Sequence, residues 1–147
     1  MERVERAYAY HQKGFNCCQS VAAAFSDLTA LSEQELFNIC GGFGGGAGSG
    51  ELCGAISGAI IMLGLLTPVD VSDPVGSKKR TVSLSKEFQK RFAERFGFLR
   101  CHDLLKNEAG STENISASIG SLKLTKHCDV MIVTAVEILE EMLREKV

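Results

Sequence analysis

Six cysteines, Cys17, Cys18, Cys40, Cys53, Cys101 and Cys128, are spread along the 147 residues of the chain, and no two of them form a CxxC pair. Thiols spaced in this way serve as small buried apolar side chains, as metal ligands, or as groups that cycle between dithiol and disulfide. Cys53 stands at the head of Cys53-Gly54-Ala55-Ile56-Ser57-Gly58, just after the glycine-rich stretch 41–50. Glycines before a helix let the backbone turn tightly. They also leave consecutive N–H groups able to hold an anion or a cofactor phosphate, for which Gly44, Gly45, Gly46 and Gly48 are the candidates. The stretch lacks the Gly-Lys-Ser/Thr ending of a P-loop and follows no strand pattern, so the tight-turn reading is favoured. Of the three histidines, His102 adjoins Cys101 and His127 adjoins Cys128. Neighbours on a helix point about 100° apart, which disfavours joint ligation of one metal. His11 falls on an apolar face and reads as a core residue.

The elements that must position these thiols are helical. Apolar residues recur at intervals of three and four, and no long alternating run marks a strand. Val4, Ala7, Tyr8 and His11 share a face of a first helix that Gly14 stops. Asn16 caps a second, from Cys17 to about Leu28, and Ser32 to Glu35 form a capping box opening a third that ends at Gly41-Gly42. A fourth, from about Glu51 to Leu66, is apolar nearly all round and should be central. Val69 to Gly76 reads as a loop, and a fifth helix spans roughly Leu84 to Leu99 with Leu84, Phe88, Phe92, Phe96 and Leu99 on one stripe. A short turn at Cys101 to Lys106, a polar connection 107–120 and a last helix from about Lys126 to Glu145 complete the chain. The fold class is therefore all-α, a single domain over 1–147 built as a compact bundle of about five or six helices around a central apolar one.

Placed on these helices, four thiols sit at N-termini: Cys17 after Asn16, Cys53 in the first turn after the glycines, Cys101 at the start of its short helix, and Cys128 three residues after the N-cap candidate Thr125. The partial positive charge and free N–H groups there favour thiolate over thiol. Cys53 is accordingly expected to titrate below the free value of about 8.5. Cys40 ends a helix, where the dipole has the opposite sense.

Asn16-Cys17, the run Gly41-Gly42-Phe43-Gly44-Gly45-Gly46, the CGAxxG at Cys53 and the later Cys101 and Cys128 together resemble the C_GCAxxG_C_C family over nearly the whole chain. The resemblance implies a redox-active protein with four characteristic cysteines, which by position are Cys17, Cys53, Cys101 and Cys128; Cys18 and Cys40 look like additions. The first reading is a thiol-dependent oxidoreductase in which these four converge and two of them cycle through a disulfide with an unidentified electron donor or acceptor. The rival is a protein that binds a metal ion or an iron–sulfur cluster through the same four thiolates, although spacings of 36, 48 and 27 residues are unlike the usual tight pairs. The third is a helical interaction module with inert, buried cysteines.

Composition bounds the rest. At 45% hydrophobic the chain has enough apolar material for a core without disulfide staples. A net charge of −2 argues against general nucleic-acid binding. The N-terminus has no secretory h-region, and the most apolar run, Leu52 to Leu66, falls short of a membrane span. A cytoplasmic protein with reduced thiols is expected. The all-round apolar fourth helix and the small face at Gly54 and Gly58 suggest a homodimer. Eight Lys/Arg between Lys78 and Arg100 form a basic stretch, read as a solvated face that also lies near Cys101.

Overall fold

The computed structural model describes residues 2–108, 122, 124 and 126–146. Among them all regular structure is helical: α1 Arg3–Gln12, α2 Cys17–Ala23, α3 Glu33–Cys40, α4 Gly54–Leu66, α5 Pro74–Phe96, α6 Cys101–Lys106 and α7 His127–Lys146. The proposed cap Thr125 and most of the polar connection, 109–120, lie outside the described residues.

Local chemistry explains most boundaries. Asn16 and Gln19 form a capping box at α2, as Ser32 and Glu35 do at α3. α2 is shorter than its apolar rhythm suggests: it ends at Ala23, and a 3-10 turn, Ser26–Leu28, carries the chain out of the core. α5 begins at Pro74, not near Leu84, and it absorbs part of the segment taken for a loop. The side chain of Asp73 accepts the Gly76 N–H at 3.0 Å, and Pro74 needs no hydrogen-bond acceptor in the first turn. α5 stops at Phe96 because Gly97 takes φ +80°, so Leu99 is off the helix. α4 starts at Gly54, not Glu51, because Glu51 and Leu52 are engaged in an isolated antiparallel bridge between Leu52 and Arg100.

The centre of the bundle is shared. α4 is enclosed through Ala59, whereas its last turn exposes Leu65. α7 is buried almost all round, with Ile132, Ala135, Val136, Ile138, Leu139 and Met142 in the core. α2 packs most extensively on α4, α1 lies along α7, and α3 closes over α2. The approach of α2 to α4 depends on two glycines. A Cβ on Gly58 would stand 2.7 Å from the Cys18 carbonyl oxygen, and one on Gly54 would stand 3.2 Å from the Cys17 Cβ. The small face is thus filled by α2 and is not available to a second copy as a dimer contact. Outside the core, Arg91 of α5 pairs with Glu87, Glu141 and Glu145, and Arg95 with Glu141, so acidic α7 residues offset part of the basic face. No described helix is long and apolar enough to cross a membrane.

Candidate functional site

Four helix starts meet at one end of the bundle. Cys17 is the first residue of α2, Cys53 is the N-cap of α4, Cys101 is the first residue of α6 and Cys128 is the second of α7. The thiols of Cys17 and Cys128 are neighbours, each the largest influence on the other's titration, and Cys17 also feels the charges of Cys53 and Cys101. Cys53 in turn feels Cys101 and Cys128. These four thiols, from parts of the chain far apart in sequence, fall within electrostatic range of one another, with no three of them placed to hold a metal ion.

Each is held by backbone and cap chemistry. Asn16 Oδ1 accepts the Gln19 N–H at 2.8 Å, and its Nδ2 donates to the carbonyls of Cys40 and Gly41 at 3.3 and 3.2 Å, pinning the start of α2 to the end of α3. The two-stranded bridge does the same for Cys53 and Cys101. The Cys53 N–H donates to the Leu99 carbonyl at 2.9 Å and the Cys101 N–H to the Glu51 carbonyl at 2.6 Å. One residue beyond the paired Leu52 and Arg100, both strands turn into helices, which leaves the two thiols side by side.

The loop glycines are engaged in packing. The Asn16 side chain occupies the space that a Cβ on Gly44 would need, and a Cβ on Gly46 would collide with the Glu51 backbone. Gly45, Gly46 and Gly48 have φ near +65 to +73°, so the turn Gly46–Gly50 depends on left-handed conformations. Close packing at Gly44 and Gly46, and left-handed backbone at Gly45, Gly46 and Gly48, give these glycines a structural role in bringing the chain from α3 to Cys53.

Electrostatics separate the four thiols. Hydrogen bonding from Cys17 lowers Cys128 to about 6, against the opposing effect of burial; His11 and His127 favour its thiolate and Asp129 disfavours it. Cys17, holding the shared proton, is raised by that same hydrogen bond and by burial. Burial pushes Cys53 up to about 12, even though the nearby Ala55 and Ile56 N–H groups favour its thiolate. The expected lowering of Cys53 is corrected: the helix-start N–H groups favour the thiolate, but at 3% exposure desolvation outweighs them. Cys101 is also raised, by burial and by the charge of Cys128, and the basic stretch contributes no lowering. Arg100 is instead paired to Glu51 at 3.2 Å.

Two contributors escaped the sequence reading. His11 is a partner of Asp129, its Nδ1 2.5 Å from Oδ1, and Gln12 Nε2 donates to the same carboxylate at 3.3 Å. Asp129 is buried and follows Cys128 directly, so α1 supplies the polar partners that its carboxylate needs. The spacing of His11 and Asp129, 118 residues, hides this pair from any local motif. Cys18 and Cys40 are a second pair of neighbouring thiols, between α2 and α3, with both residues fully buried. Cys40 thus stays off the four-thiol cluster. His102 packs its Cβ against Gly50. Among the described residues no group of three or more His, Cys, Asp or Glu is placed to hold a metal ion.

A family model described as "Putative redox-active protein (C_GCAxxG_C_C)" matches residues 15–142. No curated protein and no solved structure matches the chain.

Proposed function

The chain belongs to the C_GCAxxG_C_C family, and from that premise we propose that it is a thiol-dependent oxidoreductase whose working couple is the dithiol Cys17–Cys128. The observation that carries the reading is that these two thiols are neighbours, each the largest influence on the other, with Cys128 lowered to about 6. Near neutral pH Cys128 is then the thiolate and Cys17 the proton-bearing partner. The pair matches an attacking and a resolving thiol.

The electron acceptor is a disulfide, R–S–S–R. The Cys128 thiolate attacks one sulfur, the S–S bond breaks, and one RS⁻ leaves and takes a proton. Cys17 loses its proton and attacks Cys128 Sγ, expelling the second RS⁻, which is protonated in turn. The dithiol has been oxidised to Cys17–S–S–Cys128 and the substrate reduced to two RSH. Because these are exchange reactions, the opposite direction uses the same groups. His11, held by Asp129, favours the Cys128 thiolate when its ring is protonated. Cys53 and Cys101 border the couple as thiols at neutral pH. The metal-binding alternative has weaker support, since the described residues offer no group of three ligands.

Single-turnover reaction of the reduced protein with an aromatic disulfide such as dithionitrobenzoate tests this. The wild type should release two thionitrobenzoates in a fast first phase. Cys17→Ser should stop after one, leaving a mixed disulfide on Cys128 that a mass measurement detects. A wild type that stops at the mixed disulfide, or a Cys128→Ser protein with an unchanged fast phase, refutes the assignment.

A further inference from the structure

The pair Cys18–Cys40 lies outside the proposed couple, and the family resemblance does not include it. Several independent features make it more than two small core residues. Both thiols are at zero exposure and are neighbours, each the largest influence on the other's titration. The two helices that carry them are tied together beside the pair, by Asn16 Nδ2 to the Cys40 carbonyl at 3.3 Å and by Gln19 Nε2 to the Phe37 carbonyl at 3.0 Å. Cys18 is the chain neighbour of Cys17, and its backbone is the surface against which Gly54 and Gly58 bring α4. Cys53, at the head of α4, is consequently the one thiol that interacts with both pairs: with Cys17, Cys101 and Cys128 on one side and with Cys18 on the other.

We propose that Cys18 and Cys40 are a second, inner dithiol–disulfide site that passes two electrons to the outer couple through Cys53. The route rests on the proposed Cys17–Cys128 chemistry, and it needs no reagent beyond the disulfide which that chemistry forms. Cys53 attacks Cys17 Sγ in the outer disulfide, and the Cys128 thiolate departs, which its low basicity favours. Cys18 then attacks Cys53 Sγ and releases Cys17. Cys40 finally attacks Cys18 Sγ and releases Cys53. Each attacking thiol gives up its proton, and the released Cys17 and Cys53 sulfurs take one up. The sum is one disulfide broken at Cys17–Cys128 and one formed at Cys18–Cys40, with two electrons moved outward. The chain would then deliver four electrons per molecule in place of two, from a store at zero exposure that a bulky aromatic disulfide does not reach directly.

The same single-turnover assay reads this out. With excess dithionitrobenzoate, the wild type should show a second, slower phase releasing two further thionitrobenzoates, and peptide mapping should find Cys18 joined to Cys40. Cys18→Ala and Cys40→Ala, small for small in the core, should each abolish the second phase while keeping the first, with circular dichroism confirming an unchanged helical content. Cys53→Ala should slow the second phase at least tenfold relative to the first. A wild type limited to two equivalents overturns the proposal, as does a second phase that survives Cys40→Ala. If the first phase itself is missing, the outer couple has failed. Diamide, a diazene that takes two hydrogens from a dithiol, then tests the inner pair alone: a mapped Cys18–Cys40 disulfide supports it, and thiols remaining at both positions overturn it.

Discussion

If Cys128 shares the proton of Cys17 as described, removing that proton donor must cost the thiolate more than removing any other neighbour. At pH 7 a thiol titrating at about 6 is about 90% ionised, whereas an ordinary thiol near 8.5 is about 3% ionised. That is a gain of roughly 30-fold in thiolate, but a thiolate less basic by about 2.5 units is intrinsically slower by roughly 10- to 20-fold. The net advantage at pH 7 is then only about two- to threefold, too small to identify the residue from a single rate. At pH 6 the thiolate gain grows to roughly 150-fold and the net advantage to about tenfold, so the pH profile is the informative quantity. The assay is iodoacetamide labelling of Cys128 between pH 4.5 and 9.5, followed by peptide mass. Wild type should show a midpoint near 6. Cys17→Ala should raise the midpoint most, because the hydrogen bond is the largest stabilising contribution; His11→Gln should raise it less, by roughly one unit, and His127→Gln least. A wild-type midpoint above 8, or a His11→Gln effect larger than that of Cys17→Ala, would refute the reasoning.

Burial holds Cys53 and Tyr10 each at about 12, above their ordinary values of 9.0 and 10.0. With the folded values raised, their contribution to stability is intact below pH 9 and lost as pH climbs toward 12. For Cys53 the loss approaches about 4 kcal/mol, and denaturant titrations at pH 8 and 11 should differ in that sense. Gly58→Ala should destabilise the fold by about 1–3 kcal/mol, because its Cβ meets the Cys18 carbonyl and Val21. Gly64→Ala, in the same helix with open space around it, should instead stabilise by up to about 1 kcal/mol; thermal melts that fail to separate the two would contradict the packing of α2 on α4.

The all-α architecture was readable because helix chemistry is local. Asn16 and Ser32 cap the helices that their side chains mark, and α6 starts at Cys101 as expected though without a capping side chain, whereas the stop signal at Gly97 was overridden by carrying the Phe stripe on to Leu99. The start of α5 carried an equally local signal in Asp73-Pro74, overridden by reading proline as a breaker when it occupied the first helical position. What local rules could not supply was the bridge between Leu52 and Arg100, since a single rung leaves no alternation in the sequence. The four-thiol cluster was suggested by shared helix starts, but its polarity was not. Whether a helix-start cysteine is raised or lowered depends on burial, and burial is decided by distant segments: Cys53 is 3% exposed with its N–H on the Leu99 carbonyl, while Cys128 feels Cys17 and His11. The pairing of His11 with Asp129, and of Cys18 with Cys40, likewise exists only once α1, α3 and α7 have closed over α2.

The most direct measurement is the identity of the first disulfide formed. The reduced protein is equilibrated in a series of glutathione buffers of increasing oxidation, quenched by acid, alkylated, and mapped by peptide mass. In Cys40→Ala, which lacks the inner pair, the account predicts Cys17 linked to Cys128 with a single two-electron midpoint, and in the wild type sampled over time before equilibrium the same link is the first disulfide to appear. A first disulfide that omits Cys128, or thiols at both Cys17 and Cys128 throughout the series, would contradict it.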